Sequence, residues 1–156
     1  MSDVVFPLTI YYDHSCPLCR DEVELLRQHN ADKRLAFIDC SASDFVELQE
    51  YSRAAMMRLI HARDARGAWL VGPPVFSAAY QAIGAHSVAA LWGARWLQPL
   101  WTRLYPWLAD NRQSLSRLWL FSVAMKAFKR FVSWSARRRA ERTVASACGI
   151  DGRDCR

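Results

Sequence analysis

No stretch of this chain reaches about 18 apolar residues without a charge, so the sequence offers no spanning helix. The apolar run at 118–125 is followed at once by Lys126, Lys129 and Arg130. A basic-then-apolar leader is also missing, because Asp13 and His14 interrupt the first apolar run; a cytoplasmic start is expected. There is no second CxxC and no HxxxH, whereas a structural zinc site needs four ligands. Zinc fingers, helix-turn-helix patterns and aromatic RNA platforms are absent, which argues against nucleic acid as a partner. No internal repeat and no low-complexity segment is visible. The five cysteines are an odd number, and only two lie close together. That argues against a disulfide framework and for a redox or metal role at the close pair.

What is present is a chain of 156 residues, 52% apolar, with seven Trp, seven Phe and five Tyr. This suffices for one folded domain with an appendage. Charge is unevenly placed. Residues 1–111 carry 10 basic and 12 acidic side chains, a net of −2; residues 112–156 carry 11 and 3, a net of +8. An anionic partner would meet the C-terminal part first.

The patterning gives an order of elements. Residues 5–12 read as a buried strand, and 17–29 as a helix with Cys19, Val23 and Leu26 on one face. Residues 34–39 form a second strand. Ser43 is expected to cap a helix running to about Arg53. Residues 56–62 and 68–71 read as two strands joined by the loop 63–67. Pro73 and Pro74 open a helix over 75–83, which Gly84 ends. Strand, helix, strand, helix, strand, strand, helix is the order of the thioredoxin fold, an α/β three-layer sandwich. Residues 87–110 read as helical and broken near Pro99 and Pro106, with Trp92, Trp96, Trp101 and Trp107 packing on the sheet domain. Three parts are expected: 1–112, the thioredoxin-like domain; 113–142, a basic amphipathic helix extending it; and 143–156, a flexible tail carrying Cys148 and Cys155.

The sharpest signal is Asp13-His14-Ser15-Cys16-Pro17-Leu18-Cys19, between a strand and a helix. Pro17 suits a first helical position, which makes Cys16 the N-cap. There its sulfur meets free backbone N–H groups and the positive end of the helix dipole, and both favour thiolate, the nucleophilic form. Asp21 and Glu22 oppose this from what reads as the first turn, and Arg20 compensates in part. Cys19, one turn further in, is expected to be covered, beside an exposed Cys16. Cys16 then attacks a disulfide and Cys19 resolves the mixed intermediate, with Asp13 serving the Cys19 proton. His14, Ser15 and Pro17 are the candidates for contacting substrate. A metal at the thiols, with His14 or Cys40 contributing, is the competing chemistry.

Here the sequence resembles the DCC family of predicted thiol-disulfide oxidoreductases, named for an Asp–Cys–Cys pattern. The residues that carry the resemblance are Tyr12-Asp13, Cys16-Pro17-Leu18-Cys19, Glu22-Val23 and Leu26-Arg27. Phe37-Ile38-Asp39, Gly72 with Val75-Phe76, the segment Leu104-Tyr105-Pro106-Trp107-Leu108-Ala109, and Asn111-Arg112 continue it over about residues 6–118. The resemblance implies a thioredoxin-like fold and redox chemistry at Cys16 and Cys19. Two positions depart: His14 stands where the family usually has Gly, and Arg53-Ala54-Ala55-Met56 carries no proline ahead of the third strand. A protonated His14 would also favour a thiolate.

The expected partner is a disulfide-containing protein or a small thiol, with no cofactor and no metal. Two alternatives stand beside it: a thiol-based metal or iron–sulfur binder, and an adaptor on a thioredoxin-like scaffold. The apolar stripe Leu118, Phe121, Met125, Phe128 and Val132 among basic residues suits an anionic membrane surface, self-association or packing on its own domain. Packing is favoured, because the stripe continues directly from the Asn111-Arg112 segment. Cys40 reads as a buried free thiol. Cys148 and Cys155 read as exposed thiols, with a second shuttle pair as the alternative. His29, His61 and His86 stand alone in sequence and are assigned nothing.

Overall fold

A computed structural model describes residues 4–116, 127–128 and 130–134. Its centre is a four-stranded sheet in the order β2-β1-β3-β4. Here β1 is Leu8–Tyr12, β2 Leu35–Asp39, β3 His61–Arg63 and β4 Trp69–Val71. β1 runs parallel to β2 and antiparallel to β3, and β3 and β4 are antiparallel. The parallel pair needs a crossover, which α1 (Pro17–Gln28) supplies; the antiparallel pair β3–β4 needs only a turn.

Alternation along β1 assigns the two faces. Leu8 and Ile10 enter the main core with Leu25 and Leu26 of α1, and with Val75, Ala79 and Tyr80 of α3 (Pro73–Ala82). Tyr11 points the other way, into a smaller cluster with Cys40 and Met56 of α2 (Arg53–Arg58), where Phe45, Leu48, Tyr51 and Trp69 join it. The sheet is thus the middle of three layers, as the thioredoxin-like arrangement requires. Leu26 is wholly buried, and truncating such a leucine to Ala costs about 2–5 kcal/mol.

The expected helix from Ser43 to Arg53 does not form, and the helix lies where the next strand was expected to begin. The side chains offer the backbone other partners. Asp39 Oδ1 accepts from the Ser41 N–H and hydroxyl, and Arg53 Nη2 donates to the carbonyls of Ser41 and Ala42. Glu47 accepts from the Arg53 N–H, and Ser52, not Ser43, caps the helix by accepting from Ala55 N–H. Local polar bonds of this sort compete with helix. Met56 therefore sits on α2, and β3 starts only at His61.

Helix α4 (His86–Gly93) and a short 3₁₀ turn (Arg95–Leu97) lead into α5 (Gln98–Ser116). Of the two breaks expected in this region, the one near Pro99 is present, since the 3₁₀ turn ends and α5 begins at Gln98, and the one near Pro106 is not. Pro99 stands in the first turn of α5, where its missing N–H costs nothing, and Pro106 lies inside a helix that runs on. Tyr105 anchors that stretch: its hydroxyl accepts from Ile60 N–H at 3.3 Å, and its ring lies over Gly72. Gly72 caps α3 with φ of 71°, and a Cβ there would stand 3.2 Å from the Tyr105 ring. Only glycine meets both demands.

The tryptophans divide. Trp92 stacks on Phe76 at 4.7 Å and on Trp101 at 4.5 Å. Trp96 and Trp107 are 79% and 55% exposed, contrary to the expectation that all four pack inward. Residues 127, 128 and 130–134 are helical; Val132 is wholly buried in the main core and Phe128 meets Tyr80 edge-on at 5.9 Å. The rest of the expected basic helix, with Phe121 and Met125, and the tail with Cys148 and Cys155 lie outside the described residues. Among the described residues no helix is long and apolar enough to cross a membrane.

Candidate active site

The site forms where β1 ends and α1 begins. Asp13 organises the loop between them. Its Oδ1 accepts from the Ser15 N–H at 3.0 Å and the Ser15 hydroxyl at 2.5 Å, and its carbonyl accepts from Cys16 N–H at 3.3 Å. Asp39, at the end of the neighbouring strand, ties the loop down by accepting from His14 N–H at 3.1 Å. Pro17 follows as the first residue of α1 and Cys16 is the N-cap, extended at φ −84° and ψ 117°.

The Cys16 side chain closes no conventional capping bond. What lowers its pKa most is the hydrogen bond from the Cys19 thiol; burial opposes it, and the Cys19 amide, the Arg112 charge and the Leu18 amide add to it. The result is a thiol pulled down from 9.0 to about 6. Cys19 moves strongly upward, because its proton is held by Cys16, it is buried, and the Cys16 charge disfavours a second thiolate. One proton is thus shared by two sulfurs with opposite tendencies.

Exposure is the reverse of the expectation. Cys16 is wholly covered at 0% exposure, whereas Cys19 is half-buried and lines a cavity. Covering follows from the position of Cys16 at the bottom of a short loop pinned by Asp13 and Asp39. Asp21 and Glu22 fall beyond the first turn, which contains no acidic residue, so they do not oppose the helix dipole at Cys16. Glu22 instead accepts from the buried Tyr80 hydroxyl.

Arg112 is the residue that sequence reasoning left without a role. It reaches in from α5, 15% exposed, and its Nη2 donates to Asp13 Oδ2 at 2.7 Å; Asp13 itself is 3% exposed. The same guanidinium donates to the carbonyls of Met57 and Arg58 at 2.5 and 3.3 Å, at the end of α2. One side chain therefore joins the active loop, α2 and α5. Its signal was present in the Asn111-Arg112 pair of the resemblance, but nothing local said what the arginine would meet.

The other candidates separate. Ser15 and Pro17 stand in the loop and first turn beside Cys16. His14 is exposed and its Nδ1 lies 3.4 Å from the Tyr12 hydroxyl; Asp39 is held below the ordinary carboxylate range, against the cost of burial, by its bonds to Ser41 and to the His14 N–H. Cys40 lies on the opposite face of the sheet, wholly buried, its thiol donating weakly to Met56 Sδ at 4.0 Å and pushed up to about 11 by burial. Among the described residues no three His, Cys, Asp or Glu side chains group in a way that could hold a metal ion.

A CxxC at the head of the first helix of a β2-β1-β3-β4 sheet defines a thioredoxin-like dithiol protein. The family model described as DCC1-like thiol-disulfide oxidoreductase matches residues 10–118, and the chain belongs to that family. The matched stretch runs from β1 through α5 and includes Asp13, both cysteines and Arg112. No curated protein and no solved structure matches the chain. Membership supports a thiol-disulfide oxidoreductase role acting on disulfide-containing substrates in general.

Proposed function

We propose that the protein exchanges dithiol for disulfide through Cys16 and Cys19. The observation that carries this reading is the placement of the pair: Cys16 caps α1 where β1 ends, and Cys19 stands one turn on as a half-buried free thiol beside a cavity, an arrangement that draws Cys16 towards thiolate and Cys19 towards thiol. Cys16 thiolate attacks a substrate sulfur, the substrate S–S bond breaks, and a thiolate leaves. That attack removes the charge that held the Cys19 proton. Asp13 serves as the acceptor for the proton, and Cys19 attacks Cys16 Sγ to close the internal disulfide and release the second thiol. Ser15 and Pro17 form the rim a substrate meets, with His14 on its outer side. Because Cys16 is covered, substrate entry requires the loop to open, or a substrate small enough to approach beside Cys19.

For residues 113–142 the reading with most support is cover by the protein itself, since Val132 is buried in the core and Phe128 packs on Tyr80. The exposed Trp96, Leu100 and Trp107 leave an anionic membrane surface as the alternative attachment.

The test is disulfide reductase activity of the wild type against Cys16→Ser and Cys19→Ser. Activity is expected in the wild type alone, and Cys19→Ser should accumulate mixed disulfides at Cys16. Equal inactivity of wild type and Cys16→Ser, with a metal ion co-purifying stoichiometrically, would replace this reading by metal binding.

A further inference from the structure

Beside Cys19 lies a partly open cavity of about 210 Å³, walled by α1, α5 and residues of the elements packed between them. Leu18, Val23, Phe76, Trp92, Tyr105 and Leu108 give it an apolar, ring-rich wall. Its polar wall groups are already engaged with one another or with the backbone. Asp13 holds Arg112 and Ser15; Arg112 also holds two carbonyls; Glu22 accepts from Tyr80; the Tyr105 hydroxyl accepts from Ile60 N–H. An occupant therefore meets aliphatic carbon, aromatic faces and two sulfur-bearing side chains, Cys19 and Met56. A hydrophilic guest would give up its hydration here without replacement, which is costly. An apolar cavity of about 150 Å³ takes up benzene, so the volume here suits a substituted ring.

We propose that this cavity seats the aromatic group of a small apolar disulfide, so that the substrate class is a small aryl disulfide rather than a folded protein. The inference rests on the redox reading above and adds the substrate to it. With the ring in the cavity, the substrate S–S bond stands at Cys19, the sulfur that lines it, and the covered Cys16 meets it when the 13–17 loop opens. Cys16 thiolate bonds to one substrate sulfur and the first aryl thiolate departs. Cys19 gives up its proton, bonds to Cys16, and the second aryl thiol is released from the cavity. Two electrons pass from the dithiol to the substrate, and a small dithiol such as dithiothreitol returns the protein to its reduced form.

The location of the cavity explains why the half-buried sulfur is Cys19. A protein disulfide would need an open face at Cys16, which is covered. A small apolar molecule enters by the space that Cys19 borders and needs the 13–17 loop to move only enough to bare Cys16 Sγ. Ala109, also in the wall, offers a place to fill that space while both cysteines are kept.

The experiment uses the full chain, naphthalene as an unreactive probe, and two disulfides, diphenyl disulfide and bis(2-hydroxyethyl) disulfide, with dithiothreitol as reductant. Naphthalene should raise the melting temperature of the wild type and compete with diphenyl disulfide. In Ala109→Trp the thermal shift should vanish and KM for diphenyl disulfide should rise about tenfold to hundredfold, the value of burying one aromatic group. Ala109→Leu, a smaller filling, serves if the tryptophan variant does not fold, with the same direction expected. Naphthalene binding equally to wild type and variants, or an unchanged KM, would overturn the assignment. Reduction of bis(2-hydroxyethyl) disulfide without any naphthalene binding would overturn the cavity site and leave the redox reading standing. No reduction of any disulfide would remove the redox reading and the substrate with it.

Discussion

Arg112 Nη2 lies 2.7 Å from Asp13 Oδ2, across 99 positions of chain, in a contact where both side chains are largely withdrawn from water. The pair links the strand end that shapes the CxxC loop to the last helix of the matched family region. Its cation also stands among the groups that favour the Cys16 thiolate. By contrast, the nearby Arg58–Asp110 pair has good geometry but is exposed on both sides, and water screens it.

Replacing Arg112 by Leu should therefore do two things. Asp13 would be left as a buried charge without its cation, which costs about 3–5 kcal/mol and is read from urea denaturation. The pKa of Cys16 should rise, because a favourable positive charge is removed, and the pH profile of thiolate absorbance reads that. Unchanged stability would show that water replaces the guanidinium at Asp13.

The thiols should titrate apart. Ultraviolet thiolate absorbance of the native protein should rise with a midpoint of about 6, from Cys16. Cys19→Ala should move that midpoint upward, since the Cys19 hydrogen bond is the largest influence lowering it. Cys40, pushed up to about 11 and wholly buried, should resist alkylation at neutral pH until the protein is unfolded. Mass spectrometry after a short iodoacetamide pulse distinguishes the three. A midpoint that Cys19→Ala leaves in place would contradict the shared proton.

His61 sets a pH limit on stability. It is 2% exposed, its Nδ1 lies 2.9 Å from the Leu59 carbonyl, and burial lowers its pKa from 6.5. Below 6.5 the unfolded chain takes up a proton that the folded chain refuses, so stability falls as pH drops from there towards the folded value. His61→Gln should flatten this part of the curve. A second loss is expected below about 3.8, where Asp39, Asp64 and Asp110, all lowered in the fold, become protonated. Urea midpoints from about pH 2 to about pH 8, a range that spans the ordinary imidazole and carboxyl values, measure both effects.

Val132 tests whether the C-terminal part belongs to the domain. It is wholly buried in the main core, so Val132→Ala should cost about 1.5–3 kcal/mol of unfolding free energy. A variant as stable as the wild type would place this segment outside the cooperative unit and favour its attachment elsewhere.

The sequence by itself determined the strand before the CxxC, the helix after it, the proline at that helix's first position and the placement of Cys16 as its cap. These are local matters, set by hydrophobic period and by what proline cannot do. It also carried enough pattern to place the chain near its family, from Asp13 to Arg112. Tertiary structure alone decided the rest. Whether 43–53 would be helix depended on which backbone groups Asp39, Glu47 and Arg53 capture, and Arg53 reaches back to the carbonyls of Ser41 and Ala42. Whether α5 would survive Pro106 depended on Tyr105 lodging over Gly72. Which sulfur would be covered depended on how two aspartates pin a four-residue loop, and the side chain that meets Asp13 comes from the far end of the fold. Periodicity reports which face of an element is apolar. It cannot report which charged or aromatic side chain, tens of residues away, will arrive at that face when the layers close.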